Sequence, residues 1–159
     1  MSKEFVKIEV TRRDVLAGGT AALFGLAGLM SVSGAARADA AAAQVLIDKI
    51  TGGTAPQSGR VFLEMPQIAE NGNTVPLSVS VESAMMENDY VKSVHVFAEG
   101  NPTPEVASFH FTPMSGIAQV STRMRMAKTQ DIVAVAEMSD GSVFMDRVQV
   151  KVTIGGCGG

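Results

Sequence analysis

The sequence predicts an all-β fold: an immunoglobulin-like antiparallel β-sandwich of about seven strands, with a short N-terminal helix and a flexible C-terminal arm. Three observations lead to this prediction. From Val61 onward, apolar and polar residues alternate with a period of two, which is typical of strands that bury one face. Gly, Pro and Asn residues interrupt the pattern at short intervals, as in sandwiches of many short strands. The chain then ends in Gly-Gly-Cys-Gly-Gly, which cannot form a strand of this kind.

Residues 1–38 have the parts of a twin-arginine signal peptide. Arg12 and Arg13 stand in a Thr-Arg-Arg-Asp-Val-Leu motif, and an uncharged stretch rich in Gly and Ala leads to an Ala-Arg-Ala exit motif. We therefore expect the mature chain to begin at Asp39 and to work in a bacterial periplasm. An uncleaved anchor is the alternative, because the apolar stretch is near the minimum length for a membrane span.

Removal of this segment leaves 121 residues, enough for one domain, predicted to span residues 39–154. Five basic and three acidic residues are removed with it, which changes the formal net charge from −3 to −5. An acidic chain of this kind argues against nucleic acid or an anionic membrane as its partner, because both are bound by basic surfaces.

The elements of this domain are predicted from local patterns. An Ala-rich helix is expected over residues 40–50, because Gly52 and Gly53 follow as a stop signal. Asp140 and Gly141 are typical of a hairpin between the last two strands. The chain has no Trp and no cysteine pair, so the conserved core of antibody domains is absent and only the architecture is predicted. The seven strands are expected near residues 61–65, 75–81, 91–98, 105–111, 118–126, 130–138 and 142–154.

The arm, residues 155–159, holds the only cysteine of the chain, Cys157. Glycine has no side chain to bury and loses much backbone freedom when it is ordered, so the arm is expected to stay mobile and solvated. Fully extended, it would carry the thiol on the order of 15 Å beyond the last strand. Lone cysteines are often small buried core residues, but a position among Gly155, Gly156, Gly158 and Gly159 does not favour that reading.

Two kinds of chemistry find little support in the sequence. A blue-copper site would need Cys157, His95 or His110 and a methionine on one rigid loop, and their spacing does not provide this. A nucleophilic enzyme would need a base held in fixed geometry beside the thiol, which a glycine tether cannot offer. We therefore predict no metal site, no cofactor and no catalytic residues. The mature chain's eight methionines are expected to fill the core or a partner surface.

The chain resembles the SoxY family of the thiosulfate-oxidising Sox system in its terminal motif, its twin-arginine leader and three internal stretches. These stretches are Val91 to Ala98, Phe109 to Pro113 and Val135 to Gly141. The resemblance implies a carrier that holds sulfur intermediates covalently on Cys157. It also implies a heterodimer with a SoxZ subunit. Haem-containing SoxAX, the hydrolase SoxB and the sulfane dehydrogenase SoxCD are the implied transient partners.

Two alternatives stay open. Gly158 and Gly159 are also similar to the end of ubiquitin-like sulfur carriers, which load sulfur on the terminal carboxylate; that loading needs ATP, and the predicted export weighs against it. The other alternative is a binding module without catalytic function, in which Cys157 forms an interchain disulfide.

Overall fold

The computed structural model describes residues 35–156, and the surroundings of side chains are described from residue 40 onward. This part of the chain contains one helix and eight strands. The predicted export motif at Arg12 and Arg13 lies outside the described residues, as do Cys157, Gly158 and Gly159. A short 3-10 turn, Pro113–Ser115, precedes the sixth strand. The elements are α1 (Ala35–Thr51), β1 (Val61–Glu64), β2 (Ile68–Asn71), β3 (Val75–Val81), β4 (Val91–Ala98), β5 (Glu105–His110), β6 (Ala118–Met124), β7 (Gln130–Met138) and β8 (Val143–Ile154).

The strands form two sheets, one of order β1-β3-β6 and one of order β2-β8-β7-β4-β5. The predicted immunoglobulin-like sandwich is confirmed, with two corrections. β2 is an eighth strand that the sequence analysis missed, and it pairs with β8 in parallel, whereas all other neighbours are antiparallel. β2 has four residues and only Ala69 is buried, so it carries almost no hydrophobic periodicity.

The main core lies between the two sheets and includes the inward-facing residues of β3, such as Val75, Val79 and Val81. Six of the eight methionines in this part of the chain contribute to the interior, and Met86 and Met114 are exposed. Burial of this apolar area from water is the main force that holds the sheets together.

The helix α1 packs on the outer face of the five-stranded sheet and creates a second, smaller core. Ile47 of α1 contacts a cluster that contains Phe97, Val133, Val135 and Val143. β4 and β7 are therefore buried on both faces, which explains why β7 reads as a continuous apolar run from Ile132 to Ala136 instead of an alternating one.

The helix begins five residues earlier than predicted and ends at Thr51, one residue later. Gly52 and Gly53 end it as expected, because both adopt a positive φ and the Gly53 amide donates to the Asp48 carbonyl at 3.1 Å. α1 extends across the predicted cleavage point before Asp39. Within residues 35–156, no helix is long and apolar enough to cross a membrane.

Candidate functional site

The base of the C-terminal arm is bound to the sandwich through backbone hydrogen bonds. The Gly156 amide donates to the carbonyl of Met126 at 2.8 Å, and the Met126 amide donates to the carbonyl of Gly72 at 2.8 Å. The Gly72 amide donates in turn to the carbonyl of Ile154, the last residue of β8, at 2.7 Å. Three segments that are distant in sequence therefore meet at one place, which we call the glycine junction: Gly72, Gly155, Gly156 and the backbone of Met126 and Ala127.

The glycine junction leaves no space for a Cβ atom at Gly72, Gly155 or Gly156. Gly72 is buried, and a Cβ there would lie 2.8 Å from the Gly156 nitrogen and would overlap the Met126 carbonyl oxygen. A Cβ on Gly155 would overlap the carbonyl oxygen of Ala127, and one on Gly156 would overlap the backbone of Gly72. None of the three has a positive φ, so close approach of backbones is the reason for glycine here.

This arrangement differs from the expectation that the whole arm stays mobile and solvated. Gly155 is exposed, but Gly156 is half-buried and hydrogen-bonded, and both touch other backbone segments. The described part of the arm, Gly155 and Gly156, is therefore held against the sandwich. The proposed roles of Cys157, Gly158 and Gly159 rest on the sequence, because these residues lie outside the described part of the chain.

A buried amide network fixes the segment that receives the arm. The Asn101 side chain donates to the Arg125 carbonyl at 2.9 Å and accepts from the Ala127 amide at 2.9 Å. The Gln130 side chain donates to Asn101 Oδ1 at 2.8 Å and accepts from the Gly100 amide at 2.6 Å. Asn101 and Gln130 are both buried, so these bonds are shielded from water and hold the segment in place.

Sequence reasoning missed Gly72, Asn101 and Gln130. Gly72 and Asn101 stand in Asn- and Gly-rich runs that are typical of ordinary turns, and Gln130 is the first residue of a strand. No local pattern indicates that a turn also receives a distant segment. The contact becomes visible only when the strands are assembled.

Two arginines lie on the surface beside the junction. Arg125 directly precedes Met126, and Arg123, two residues earlier on β6, is register partner to Pro76 of β3. Both side chains are exposed. Among the four arginines whose side chains are described, Arg60 and Arg147 form ion pairs with carboxylates, and no ion pair is found for Arg123 or Arg125.

The two histidines lie on neighbouring strands β4 and β5, away from the glycine junction in the sheet order. His95 Nδ1 is 2.7 Å from Ser108 Oγ and His95 Nε2 is 3.1 Å from Ser93 Oγ. Burial lowers the pKa of His95, and the nearby His110 ring, at a centroid distance of 6.2 Å, lowers this pKa further. Across residues 35–156, no group of three or more His, Cys, Asp or Glu side chains could hold a metal ion.

Comparison with protein families decides the family of the chain. The model of the sulfur oxidation protein SoxY matches residues 47–157, a range that contains the sandwich and reaches the cysteine of the arm. The chain belongs to the SoxY family. Among solved structures, the sulfur carrier protein SoxY from Chlorobium limicola f thiosulfatophilum is similar, with 31% identity and a TM-score of 0.61; the match covers 74% of this chain and 97% of that one.

More distant structures share the SoxY sandwich alone. A superoxide reductase (neelaredoxin) from Ignicoccus hospitalis matches with a TM-score of 0.53 and 16% identity, over 58% of this chain and 79% of that one. The superoxide reductase from Nanoarchaeum equitans matches with a TM-score of 0.51 and 8% identity, over 60% of this chain and all of that one. Comparison with curated proteins gave no match. At these identities the likeness concerns the fold and carries no argument about activity.

Proposed function

We propose that this chain is a covalent sulfur carrier in thiosulfate oxidation, which holds sulfur intermediates on the thiol of Cys157 and presents them to Sox enzymes. The observation that carries the proposal is the SoxY family match, which reaches Cys157, the only cysteine of the chain. The similar Chlorobium structure, described as a sulfur carrier protein, supports the same role. A carrier of this kind has no catalytic residues and no cofactor; its cargo is the sulfur adduct.

Covalent attachment of sulfur intermediates to one protein would suit a pathway of several enzymes. A covalent bond prevents the loss of small sulfur intermediates between enzymes, and attachment to one protein replaces repeated diffusion with a high effective concentration. The flanking glycines supply neither a base nor a charge beside the Cys157 thiol, so its activation is assigned to the partner's pocket. The swinging part of the arm is short in this proposal, because Gly156 is bound to Met126.

The proposed assembly is a heterodimer with SoxZ that receives SoxAX, SoxB and SoxCD in turn. In support, β5 is an edge strand, and the connection that follows it exposes Met114 (96%) and Ile117 (67%). Light scattering should show self-association of the chain expressed alone and a 1:1 complex after co-expression with its partner. A stable solitary monomer would argue against an obligate heterodimer.

The proposed location is the periplasm, reached by the twin-arginine route. The motif at Arg12 and Arg13 supports this proposal. Replacement of both arginines by lysine should leave the precursor in the cytoplasm when cell fractions are compared by immunoblotting. Normal periplasmic levels of the double variant would contradict the route.

Two variants test the carrier role: one removes the thiol of Cys157, and the other removes the terminal residue Gly159. Cys157→Ser removes the thiol, and a serine hydroxyl forms no persulfide, so thiosulfate-dependent electron release should fall to background while folding and partner binding persist. Deletion of Gly159 should leave most of the activity. The thiocarboxylate alternative expects the opposite result from this pair of variants. In the interchain-disulfide alternative, non-reducing electrophoresis would show a covalent dimer that disappears in Cys157→Ser.

A further inference from the structure

The position of Gly156 limits how far the cargo extends from the sandwich. Cys157 directly follows Gly156, whose amide is hydrogen-bonded to the Met126 carbonyl. One residue step of about 3.8 Å, a cysteine side chain and one S–S bond of about 2 Å place the outer sulfur of an adduct roughly 10 Å from the Gly156 Cα. An enzyme that works on this sulfur must therefore approach the surface around the glycine junction closely.

The charge of this surface indicates the kind of partner. Arg123 lies on β6 and Arg125 is the first residue after it; both side chains are exposed, whereas Met124 between them is buried. The backbone of Arg125 is held by Asn101, and Met126 anchors the arm itself. Two exposed arginines without a detected ion pair are conspicuous in a chain whose predicted mature form carries a net charge of −5. A complementary partner would present carboxylates at this place.

We propose that Arg123, Arg125 and the adjoining turn at Asn73 form the docking surface for the enzymes that process sulfur on Cys157. This inference rests on the proposed carrier function and deepens it. The matching surface of each enzyme is an acidic rim around a narrow pocket that admits Cys157 and its adduct. Because the anchored arm has the same short reach toward every enzyme, the partners share this surface and bind one at a time.

The test compares two double variants that remove the same charge from the intact heterodimer. Arg123→Gln with Arg125→Gln changes the docking surface, whereas Lys49→Gln with Lys151→Gln removes two exposed cations from α1 and β8. For one purified Sox enzyme at low salt, the arginine variant should raise the KM for the carrier about tenfold and leave kcat within twofold. The lysine variant should change KM less than threefold. The difference should shrink at high salt, because salt screens surface charges.

Three results would overturn the docking surface: an unchanged KM in the arginine variant, an equal effect in both variants, or a lower kcat at unchanged KM. The last result would assign the arginines to the adduct instead of the partner. A binding titration of the same enzyme against carriers that also contain Cys157→Ser measures docking without chemistry. This titration separates the docking hypothesis from the carrier hypothesis. If only the docking surface is wrong, the arginine variant binds the enzyme normally and sulfur is still found on Cys157. If only the carrier role is wrong, no sulfur is found on Cys157 but the arginine variant still binds the enzyme more weakly.

Discussion

At the scale of single residues, glycine near the arm has a structural role that its flexibility alone does not explain. Gly72, Gly155 and Gly156 let three backbones approach to hydrogen-bonding distance where any side chain would overlap an oxygen or nitrogen of a neighbour. Gly72 is 85 positions from Cys157 in the sequence, yet it binds the segment that leads to the thiol. The position of Gly156, directly before Cys157, is therefore determined by the sandwich.

Gly72→Ala should displace the base of the arm. The added methyl group would lie 2.8 Å from the Gly156 nitrogen and overlap the Met126 carbonyl oxygen, so the backbone must shift. We expect a loss of about 1–3 kcal/mol in the free energy of unfolding and faster hydrogen exchange at the Gly156 amide. Gly141→Ala is the control, because it strains a positive-φ turn between β7 and β8 while its new Cβ meets no atom within 4 Å, so exchange at Gly156 should stay unchanged. An unchanged exchange rate at Gly156 in Gly72→Ala would mean that the junction does not hold the arm.

At the scale of helices and strands, the sequence predicted the elements that bury a regular face. β4 and β7 have the predicted bounds, because apolar runs closed by turn residues define both ends. β2 was missed because its pairing with β8 is made by backbone groups that leave no trace in the side-chain pattern. The start of α1 was placed too late, since residues 1–38 were assigned to the signal peptide.

The docking of α1 on the sheet can be tested with two substitutions on the same helix. Ile47 is 2% exposed and packs against Phe97, whereas Val45 is 67% exposed. Ile47→Ala should lower the free energy of unfolding by about 2–5 kcal/mol, because it leaves a cavity in the second core. Val45→Ala should change it by no more than about 0.5 kcal/mol. Equal effects in urea denaturation would show that the helix is not packed as described.

At the scale of the whole molecule, a two-sheet sandwich holds the base of the segment that leads to Cys157. The family could be predicted from the sequence, because the Gly-Gly-Cys-Gly-Gly motif and the internal stretches that resemble SoxY are local features of the chain. The anchoring of the arm could not, because Gly72, Met126 and Gly156 meet only after the two sheets have formed. The arginines beside the junction acquire their significance in the same way.

The central claim is that sulfur is carried on Cys157, and peptide mass spectrometry tests it most directly. The heterodimer is incubated with thiosulfate and the complete set of Sox enzymes, quenched, digested and compared with a sample without thiosulfate. Loading of sulfur on Cys157 predicts a mass increase from sulfur or sulfonate groups on the C-terminal peptide, removed by a thiol reductant and located by fragmentation on Cys157. Sulfur on the terminal carboxylate of Gly159, or no adduct on Cys157 while thiosulfate is consumed, would contradict it.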